Sequence, residues 1–379
     1  IQPRGPNFTT LQFENAGYQI NNKLKSVQLE LNSTLSESAT NKLQFGYTHF
    51  DDFRNPKSEP APAIIIQDGA GLNYIIAGHE PFSINNTLDQ KVLQLTNNLN
   101  FFKGDHTFTI GFSFEKFMFD NSFNLGAYGA SGTFFPSYGS VADFLADSGP
   151  GGGLEGMLSA ATASDEAINA AGNGVAGGWA LAETNVGQLS FYLQDEWNVN
   201  DNFKLTYGLR VDKPLFFDSA KKAQELIDRN CCVDPSIPYF NPNTNETVYI
   251  DNTNMPNNDW LVSPRVGFNY DVKGDDTFQL RGGSGLFTGR FPFVWLGNQI
   301  ANPNSFFLTA VDPDYNYPQV WRTNIGTDYR LESGVILTGD VSYTKDINGA
   351  HVQNWGLQNP TGTLNAPGDN RPVYNPSDV

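Results

Sequence analysis

The residue types that most often perform catalysis occur in this sequence, but their spacing does not fit a known active site. The chain of 379 residues contains four scattered histidines: His49, His79, His106 and His351. His79-Glu80 is followed by Pro-Phe-Ser, so the second histidine of a zinc-binding helix is missing. Ser284 lies in Gly-Gly-Ser-Gly-Leu, which lacks the last glycine of a nucleophile elbow. We therefore expect no enzyme activity, no metal site and no cofactor.

Two cysteines and several acidic pairs offer other chemistry. Cys231 and Cys232 are adjacent, so they can form a strained vicinal disulfide or bond elsewhere in an oxidising compartment. We expect them to be paired with each other or inert, with metal or redox chemistry as the alternative. Three acidic clusters carry the oxygen ligands that Ca²⁺ prefers. They are Asp51-Asp52, Asp275-Asp276 and Asp312-Pro313-Asp314. None has EF-hand spacing, so we expect them to solvate turns and loops.

A short stretch of the chain has residue types suited to binding a ligand. The predicted ligand-binding residues are Arg281, Arg290, Phe291, Phe293 and Trp295. The aromatic residues follow Gly289 at the opening of a loop, where rings either stack on a sugar or peptide or pack the loop against its support. Arg281 lies in a polar register of a strand. It either pairs with carboxylates of the protein itself or contacts an anionic ligand.

The elements that must position these residues are strands in which apolar and polar residues alternate. The clearest case is GQLSFYLQDEWNVNDNFKLTYGLRVD, residues 187–212. Its apolar register contains Leu189, Phe191, Leu193, Trp197, Phe203, Leu205, Tyr207, Leu209 and Val211. Such alternation predicts that one face of each strand meets an apolar medium while the other meets polar groups or water.

The same hairpin unit recurs, with short turns rich in Gly and Asp. We predict about ten strands, many of them roughly 9–14 residues long, against about 5–6 residues in soluble proteins. Long connections alternate with the short turns, at approximately 51–89, 120–186, 217–261, 289–319 and 346–379. Within the second connection, residues 138–146 and 155–171 are predicted to be helical. Structureless connections of this length are uncommon in compact soluble domains.

Long strands with tight turns at one end and long loops at the other are typical of outer-membrane β-barrels. The predicted fold class is therefore all-β, an antiparallel transmembrane β-barrel with long extracellular loops in the bacterial outer membrane. The mean hydropathy is −0.38, and no run approaches the roughly 18 apolar residues that a membrane-spanning helix needs. The formal net charge of −17 argues against a nucleic acid partner.

Four stretches resemble TonB-dependent outer-membrane receptors, most closely the Oar-like group common in Bacteroidota. They are LQDEWNVNDNFKLTYGLRVD (193–212), SPRVGFNYDVKGDDTFQLRGGSGLFTGRFPFVWLGNQIANP (263–303), YPQVWRTNIGTDYRLESGVILTGDVSYTKDING (317–349) and NPTGTLNAPGDNRPVYN (359–375). Residues 88–117 add weaker support. QDEW followed by YGLR indicates the superfamily. PRVGFNYD, QLRGGSGLFTGRFPFVW and NQIANP together indicate the Oar-like group.

The resemblance implies energised uptake through a barrel of about 22 strands that an N-terminal plug closes. The implied partners are outer-membrane lipid and lipopolysaccharide, the plug domain of the same parent chain, TonB through that chain, and surface lipoproteins or envelope-complex proteins. The sequence contains no signal peptide, plug or TonB box. We therefore expect residues 1–379 to be part of one transmembrane barrel domain, with the plug and remaining strands elsewhere in a longer polypeptide.

Three functions are consistent with these patterns. The first is TonB-dependent uptake of a large or scarce ligand. The second is a non-transporting surface protein, either an adhesin or a scaffold of an envelope complex. The third is a passive porin, whose barrel is complete in about 16–18 strands without a plug. Oligosaccharide, peptide and siderophore ligands all remain compatible with the sequence.

Overall fold

The computed structural model of the chain describes most of its length. The described residues are 9–59, 61–80, 83, 86–122, 136–159, 182–228, 234–241, 243–244, 246–301, 309–355, 360–365 and 367–374. Their main feature is a ten-stranded antiparallel sheet in which strands that follow one another in the chain lie side by side. No helix among the described residues is long and apolar enough to cross a membrane.

The described residues contain eighteen strands, which fall into one large sheet and three small ones. They are β1 (Leu11–Gln12), β2 (Tyr18–Ser36), β3 (Ala39–Pro56), β4 (Ala63–Gln67), β5 (Asn73–Gly78), β6 (Thr87–Lys103), β7 (His106–Ser122), β8 (Ser137–Tyr138), β9 (Ala182–Asn200), β10 (Phe203–Leu215), β11 (Pro238–Asn241), β12 (Glu246–Tyr249), β13 (Leu261–Asp271), β14 (Phe278–Thr288), β15 (Gln319–Arg330), β16 (Ile336–Asp346), β17 (Gly362–Thr363) and β18 (Pro372–Val373). The large sheet has the order β16-β15-β14-β13-β10-β9-β7-β6-β3-β2. Its edge strands β2 and β16 do not pair with each other, so the sheet is open.

Tight turns join the strands of the large sheet at one end, which we call the turn end. Gly104 and Gly334 have φ of 58° and 84°, a conformation that glycine adopts without steric cost. In the turn between β13 and β14, the Asp271 carboxylate accepts hydrogen bonds from the N–H groups of Gly274 and Asp276, at 3.0 and 2.9 Å. The predicted hairpins are therefore confirmed, and the prediction of about ten strands matches the ten strands of the large sheet.

One face of the large sheet is apolar and exposed along its length, and we call it the apolar face. Its side chains include Leu29, Leu193 and Val341, which are 62%, 52% and 68% exposed. Phe191 and Leu337 are also exposed, at 46% and 54%, so no layer of described protein covers them. The opposite side, the polar face, carries the other register of each strand. The predicted alternation of faces is confirmed.

Five strands are longer than the sequence predicted. β2, β3, β6, β7 and β9 contain 17 to 19 residues. Their apolar alternation ends before the strands do. Beyond Val27 and Tyr47, the apolar face of β2 and β3 carries Lys25 and His49, while the hydrogen-bonded ladder continues to Tyr18. The predicted length of 9–14 residues holds for the other five strands of the large sheet, which contain 11 to 13 residues. The five long strands exceed the predicted length because only the apolar alternation was visible in the sequence.

The long connections fold at the end of the sheet opposite the turn end, which we call the outer end. The helices there include α1 (Val141–Asp147), α2 (Ser219–Asp228) and α3 (Val294–Ala301). β1, β5, β4 and β8 form a small sheet, so the long connection predicted at 51–89 contains strands of its own. Tyr138 belongs to β8, and Ser140 caps α1 by accepting the Asp143 N–H at 3.2 Å. Of the predicted helix 155–171, residues 155–159 are helical and the rest lies outside the described residues.

Candidate functional site

A hydrogen-bonded network lies on the polar face of β9 and β10. The Asp212 carboxylate, 1% exposed, accepts hydrogen bonds from Gln188 Nε2, Ser190 Oγ and Arg210 Nε at 2.7, 2.6 and 2.9 Å. Pairing of Ser190 with Asp212 in the ladder brings these side chains together. Three donors, one of them charged, compensate the burial of the carboxylate. The network therefore stiffens this part of the large sheet.

Arg281 is part of a second cluster, on the polar face of β14, β15 and β16. Its guanidinium donates to Asp328 and, at 3.0 Å, to Asp340. Gly326 lies between Arg281 and Asp340 in the ladder, and its missing side chain leaves room for the contact. The sequence left open whether Arg281 pairs with carboxylates of the protein or contacts a ligand. The structure shows it paired with carboxylates on β15 and β16.

Arg290 follows the end of β14 and returns to the polar face. It donates to the Glu115 carboxylate and, at 3.2 Å, to Gln188 Oε1, and its Cζ lies 4.9 Å from the centroid of the Phe117 ring. Burial lowers the pKa of the Arg290 guanidinium, but arginine stays protonated at neutral pH. Because Gln188 also contacts Asp212, Arg290 joins the outer end to the network on β9 and β10.

The predicted aromatic residues lie in a buried cluster that we call the outer cap. Its buried residues are Val186, Phe216, Ala223, Leu261, Phe291, Leu296, Ile300 and Tyr317. α2 and α3 contact each other and β9, so two long connections meet there. Phe291 is 3% exposed, with its ring centroid 5.3 Å from that of Tyr317 and 6.2 Å from that of Trp295. The cap therefore forms a small apolar core at the outer end.

Phe293 and Trp295 pack against the outer cap but keep part of their surface exposed. The Phe293 ring centroid lies 5.2 Å from that of Phe117 on β7. Burial raises the pKa of both Tyr315 and Tyr317, whose hydroxyl groups have no hydrogen-bond partner among the described residues. The cap thus presents two partly exposed rings at its surface. It also contains the buried hydroxyl groups of two tyrosines.

Two further arginines lie side by side on the polar face. Arg265 and Arg322 both pair with Gly285 in the ladder, one from each side. The ion pairs that arginines form among the described residues include neither of them. The Arg265 guanidinium lies 4.5 Å from the centroid of the Phe287 ring. The sequence places both arginines in the polar register, but only the pairing register shows that they flank the same glycine.

The remaining predicted sites are simple to place. Cys231 and Cys232 lie outside the described residues. The Asp275 and Asp312 carboxylates accept the N–H groups of Thr277 and Asp314 at 3.0 and 2.9 Å, so they take part in turns. In the part of the chain that the structure describes, no three His, Cys, Asp or Glu side chains are grouped to hold a metal ion.

The sequence matches the family model described as outer membrane beta barrel domain, over residues 2–310. The chain belongs to the outer membrane beta barrel domain family. This barrel domain therefore lies in the bacterial outer membrane, with its apolar face against lipid and its polar face toward the barrel interior. The turn end lies on the periplasmic side and the outer end outside the cell. A comparison with curated proteins finds no match.

The barrel domain is also similar to solved structures. The outer membrane transporter YddB from Escherichia coli is 12% identical, with a TM-score of 0.49, and the match covers 89% of this chain and 36% of YddB. The ferric-catecholate import receptor Fiu from Escherichia coli K12 is 13% identical (TM-score 0.44; 90% and 42% covered). The FrpB iron transporter from Neisseria meningitidis is 11% identical (TM-score 0.43; 90% and 38% covered). The chain thus spans less than half the length of each.

Proposed function

We propose that this barrel domain is part of a TonB-dependent receptor of the Oar-like group, which takes up a large or scarce ligand. The observation that carries the proposal is the interior wall around Arg265 and Arg322. No side chain projects from Gly267, Gly283 or Gly285 between and beside these arginines, so the wall is flat there. A flat wall with unpaired guanidinium groups suits close contact with a protein segment that carries carboxylates.

In this proposal the segment against the wall is a plug from the same polypeptide. The open edges of β2 and β16 support only the part of the proposal that concerns strands: unpaired backbone groups are not tolerated in lipid, so we propose that further strands of the barrel cover them. Residues 1–379 are then one part of a single barrel domain. TonB acts on the plug, and lipopolysaccharide and surface proteins are the proposed external partners.

Ligand capture is assigned to the outer end. Arg290, Phe293 and Trp295 form its contact surface, since their side chains are only partly buried. Phe291 supports that surface from inside the outer cap, where it is 3% exposed. Arg281 lies deeper in the wall, where a moving ligand or plug meets its ion pairs with Asp328 and Asp340. An anionic group on the ligand suits these guanidinium groups.

The first experiment tests the plug with full-length protein reconstituted in liposomes. Arabinose and stachyose serve as probes in a swelling assay, and a plugged receptor gives no swelling. A photo-cross-linking amino acid at position 322 is expected to couple to a segment outside residues 1–379, whereas the same group at Ile325, on the lipid side, is not. Swelling with both sugars, without a cross-link from position 322, would identify a passive porin and overturn the proposal.

The second experiment tests capture and energy coupling. Cells that carry Trp295→Ala are expected to bind less of a fluorescent oligopeptide mixture or of fluorescent dextran fragments than wild-type cells. Val294→Ala is the matched control, because Val294 lies on the same helix and is exposed. Deleting the TonB gene is expected to leave binding intact and to abolish internalisation. Normal binding by folded Trp295→Ala protein would remove the residue from the site.

A second candidate function is a non-transporting surface protein. It is favoured by apolar side chains outside the membrane: Leu72, in the turn between β4 and β5, and Leu145, on α1, are 63% and 64% exposed. Exposed apolar residues in such loops often contact other proteins. Surface binding that is unchanged in the TonB deletion, with no internalised probe in wild-type cells, would favour this candidate over transport.

A further inference from the structure

Basic side chains lie toward the outer end of the apolar face on six strands. On each of these strands, Lys or His follows a run of apolar residues in the same register, although single apolar residues lie further out on three of them: Phe53 on β3, Met118 on β7 and Leu215 on β10. The pairs are Val27 and Lys25, Tyr47 and His49, Leu93 and Lys91, Phe114 and Lys116, Val211 and Lys213, and Tyr343 and Lys345. We call Lys25, Lys91, Lys116, Lys213 and Lys345 the lysine girdle.

The pairing register places the lysine girdle at one depth in the membrane. Lys25 and Lys91 both pair with His49, at one level of the ladder. Lys116 pairs with Leu93, which is one step nearer the turn end than Lys91 on the same face. Lys213 and Lys345 lie progressively nearer the turn end along the ladder. Strands of a barrel are tilted by roughly 35–45°, so residues at one depth are expected to shift in this direction across the sheet.

Among the described residues, four of the five lysines form no ion pair with an acidic side chain. Lys91 contacts Asp89 and Asp120 at 3.0 and 3.5 Å, but the lysine ion pairs among the described residues include none of the other four. The ammonium groups of Lys116 and Lys213 lie 4.8 and 5.7 Å from the ring centroids of Phe217 and Trp260. These rings hold the charges at the boundary between the apolar band and water.

The concentration of unpaired lysines is not a result of overall composition. The chain contains 23 basic and 40 acidic residues, so basic residues are the minority of the charged residues. The turn end of the apolar face differs from the outer end. There the last residues of the strands are mainly aromatic, as with Tyr270, Phe278 and Tyr329, and the basic residues in this register of the described strands are Lys103 and His106. The positive charge therefore faces the outer leaflet.

We propose that the lysine girdle binds the phosphate groups of an anionic glycolipid of the outer leaflet, as presented by lipopolysaccharide. Lysine side chains at the edge of an apolar surface lay their methylene chains along it and extend the ammonium group to the headgroup level. Each ammonium group then donates charge-assisted hydrogen bonds to phosphate oxygens. The inference adds a specific surface to the lipopolysaccharide contact in the proposed function, and it does not depend on transport.

The test measures binding of purified lipopolysaccharide to the full-length protein in detergent micelles, by native mass spectrometry. The variant carries Lys25→Gln, Lys116→Gln, Lys213→Gln and Lys345→Gln. Each lysine near an anionic lipid surface contributes about fivefold in affinity, so we expect binding to weaken by more than tenfold. The matched control removes four other lysines: Lys57, Lys103, Lys221 and Lys273. It is expected to bind like the wild type.

Two further measurements separate phosphate binding from other causes. Replacing the same four girdle lysines with arginine is expected to preserve binding, and the heat-dependent gel mobility of each variant shows that it has folded. Dephosphorylated lipopolysaccharide is expected to bind the wild type and the glutamine variant equally and weakly. Equal binding of intact lipopolysaccharide by the glutamine variant and the control would overturn the proposal. Probe uptake by the same variants reports on transport separately, so the two proposals fail independently.

Discussion

The Arg281 guanidinium on β14 reaches the Asp340 carboxylate on β16 across the strand that lies between them, with 3.0 Å from Nη2 to Oδ1. Gly326 on the intervening strand β15 makes this possible. A Cβ atom at position 326 would overlap the Asp340 carboxylate and press against the Arg281 guanidinium. The glycine is therefore required by an ion pair between its two neighbouring strands, rather than by the conformation of its own strand.

We expect Gly326→Ala to lower the free energy of unfolding by about 1 kcal/mol, the upper value for partly exposed ion pairs, because the methyl group separates Arg281 from Asp340. Urea titration of the refolded barrel in lipid vesicles measures the change. Gly339→Ala is the matched control, because a Cβ atom there meets only Thr327 Cγ2, at 3.7 Å. Equal losses in the two variants would contradict the role assigned to Gly326.

Phe291→Ala is expected to loosen the outer cap while leaving the large sheet intact. Truncating a buried phenylalanine costs about 3–5 kcal/mol through lost burial and the cavity left behind. Hydrogen exchange should therefore speed up in α3 and in residues 309–317, but not in β9 or β10. Val294→Ala removes an exposed side chain of the same helix and should change nothing. If exchange in α3 is the same in both variants, Phe291 does not hold the cap together.

Much of the large sheet could be predicted from the sequence, because the alternation of apolar and polar residues is a local property. Residues 187–212 show which side chains share a face without any knowledge of the partner strand. Short turns with Gly104 and Gly334 fix the hairpins in the same local way. Where the alternation stops, as at Lys25 and His49, the sequence no longer shows that the strand continues.

The partners of the candidate site residues could not be predicted, because they depend on pairing register and on how the loops pack. Arg281 and Asp340 are separated by 59 residues in the chain, and Arg290 and Glu115 by 175. The outer cap brings Phe291 next to Tyr317 through a connection with no periodic pattern. Ligand binding by the five predicted residues stays a prediction.

The Tyr138 hydroxyl donates a hydrogen bond to Asp147 Oδ2 at 2.6 Å, within the loops at the outer end. Burial and this bond raise the pKa of Tyr138 from 10.0 to about 12. A raised pKa means that the folded state favours the neutral phenol. Its contribution to the stability of the small sheet is therefore complete below pH 10.0 and is lost as the pH rises through about 12.

Ultraviolet absorbance of tyrosinate, taken as the difference between wild type and Tyr138→Phe, should titrate with a midpoint near pH 12. In Asp147→Asn the midpoint should move toward 10.0, because the carboxylate that disfavours ionisation is absent. A wild-type midpoint at the ordinary value for tyrosine would show that the hydroxyl is not held by Asp147 in solution.

Asp195 lies in the apolar register of β9 near the turn end, yet it is only 3% exposed. His106 Nδ1 lies 2.8 Å from its Oδ2, and the Tyr207 hydroxyl donates to the same oxygen at 2.7 Å. The His106 ring stacks on the rings of Phe108 and Trp197, at 5.5 and 5.2 Å between centroids. The carboxylate is thus the centre of a polar cluster that aromatic rings shield from lipid.

Two opposite outcomes are possible for Asp195→Leu. If the lipid-facing surface simply favours apolar residues, the variant is more stable than the wild type. If the cluster stabilises the barrel, removing the shared acceptor leaves His106 and Tyr207 unpaired, at a cost of about 1–3 kcal/mol. We expect the loss, measured by urea unfolding in lipid vesicles. Asp201→Leu, in the exposed turn between β9 and β10, should change stability by much less. A more stable Asp195→Leu barrel would show that the cluster does not stabilise the fold.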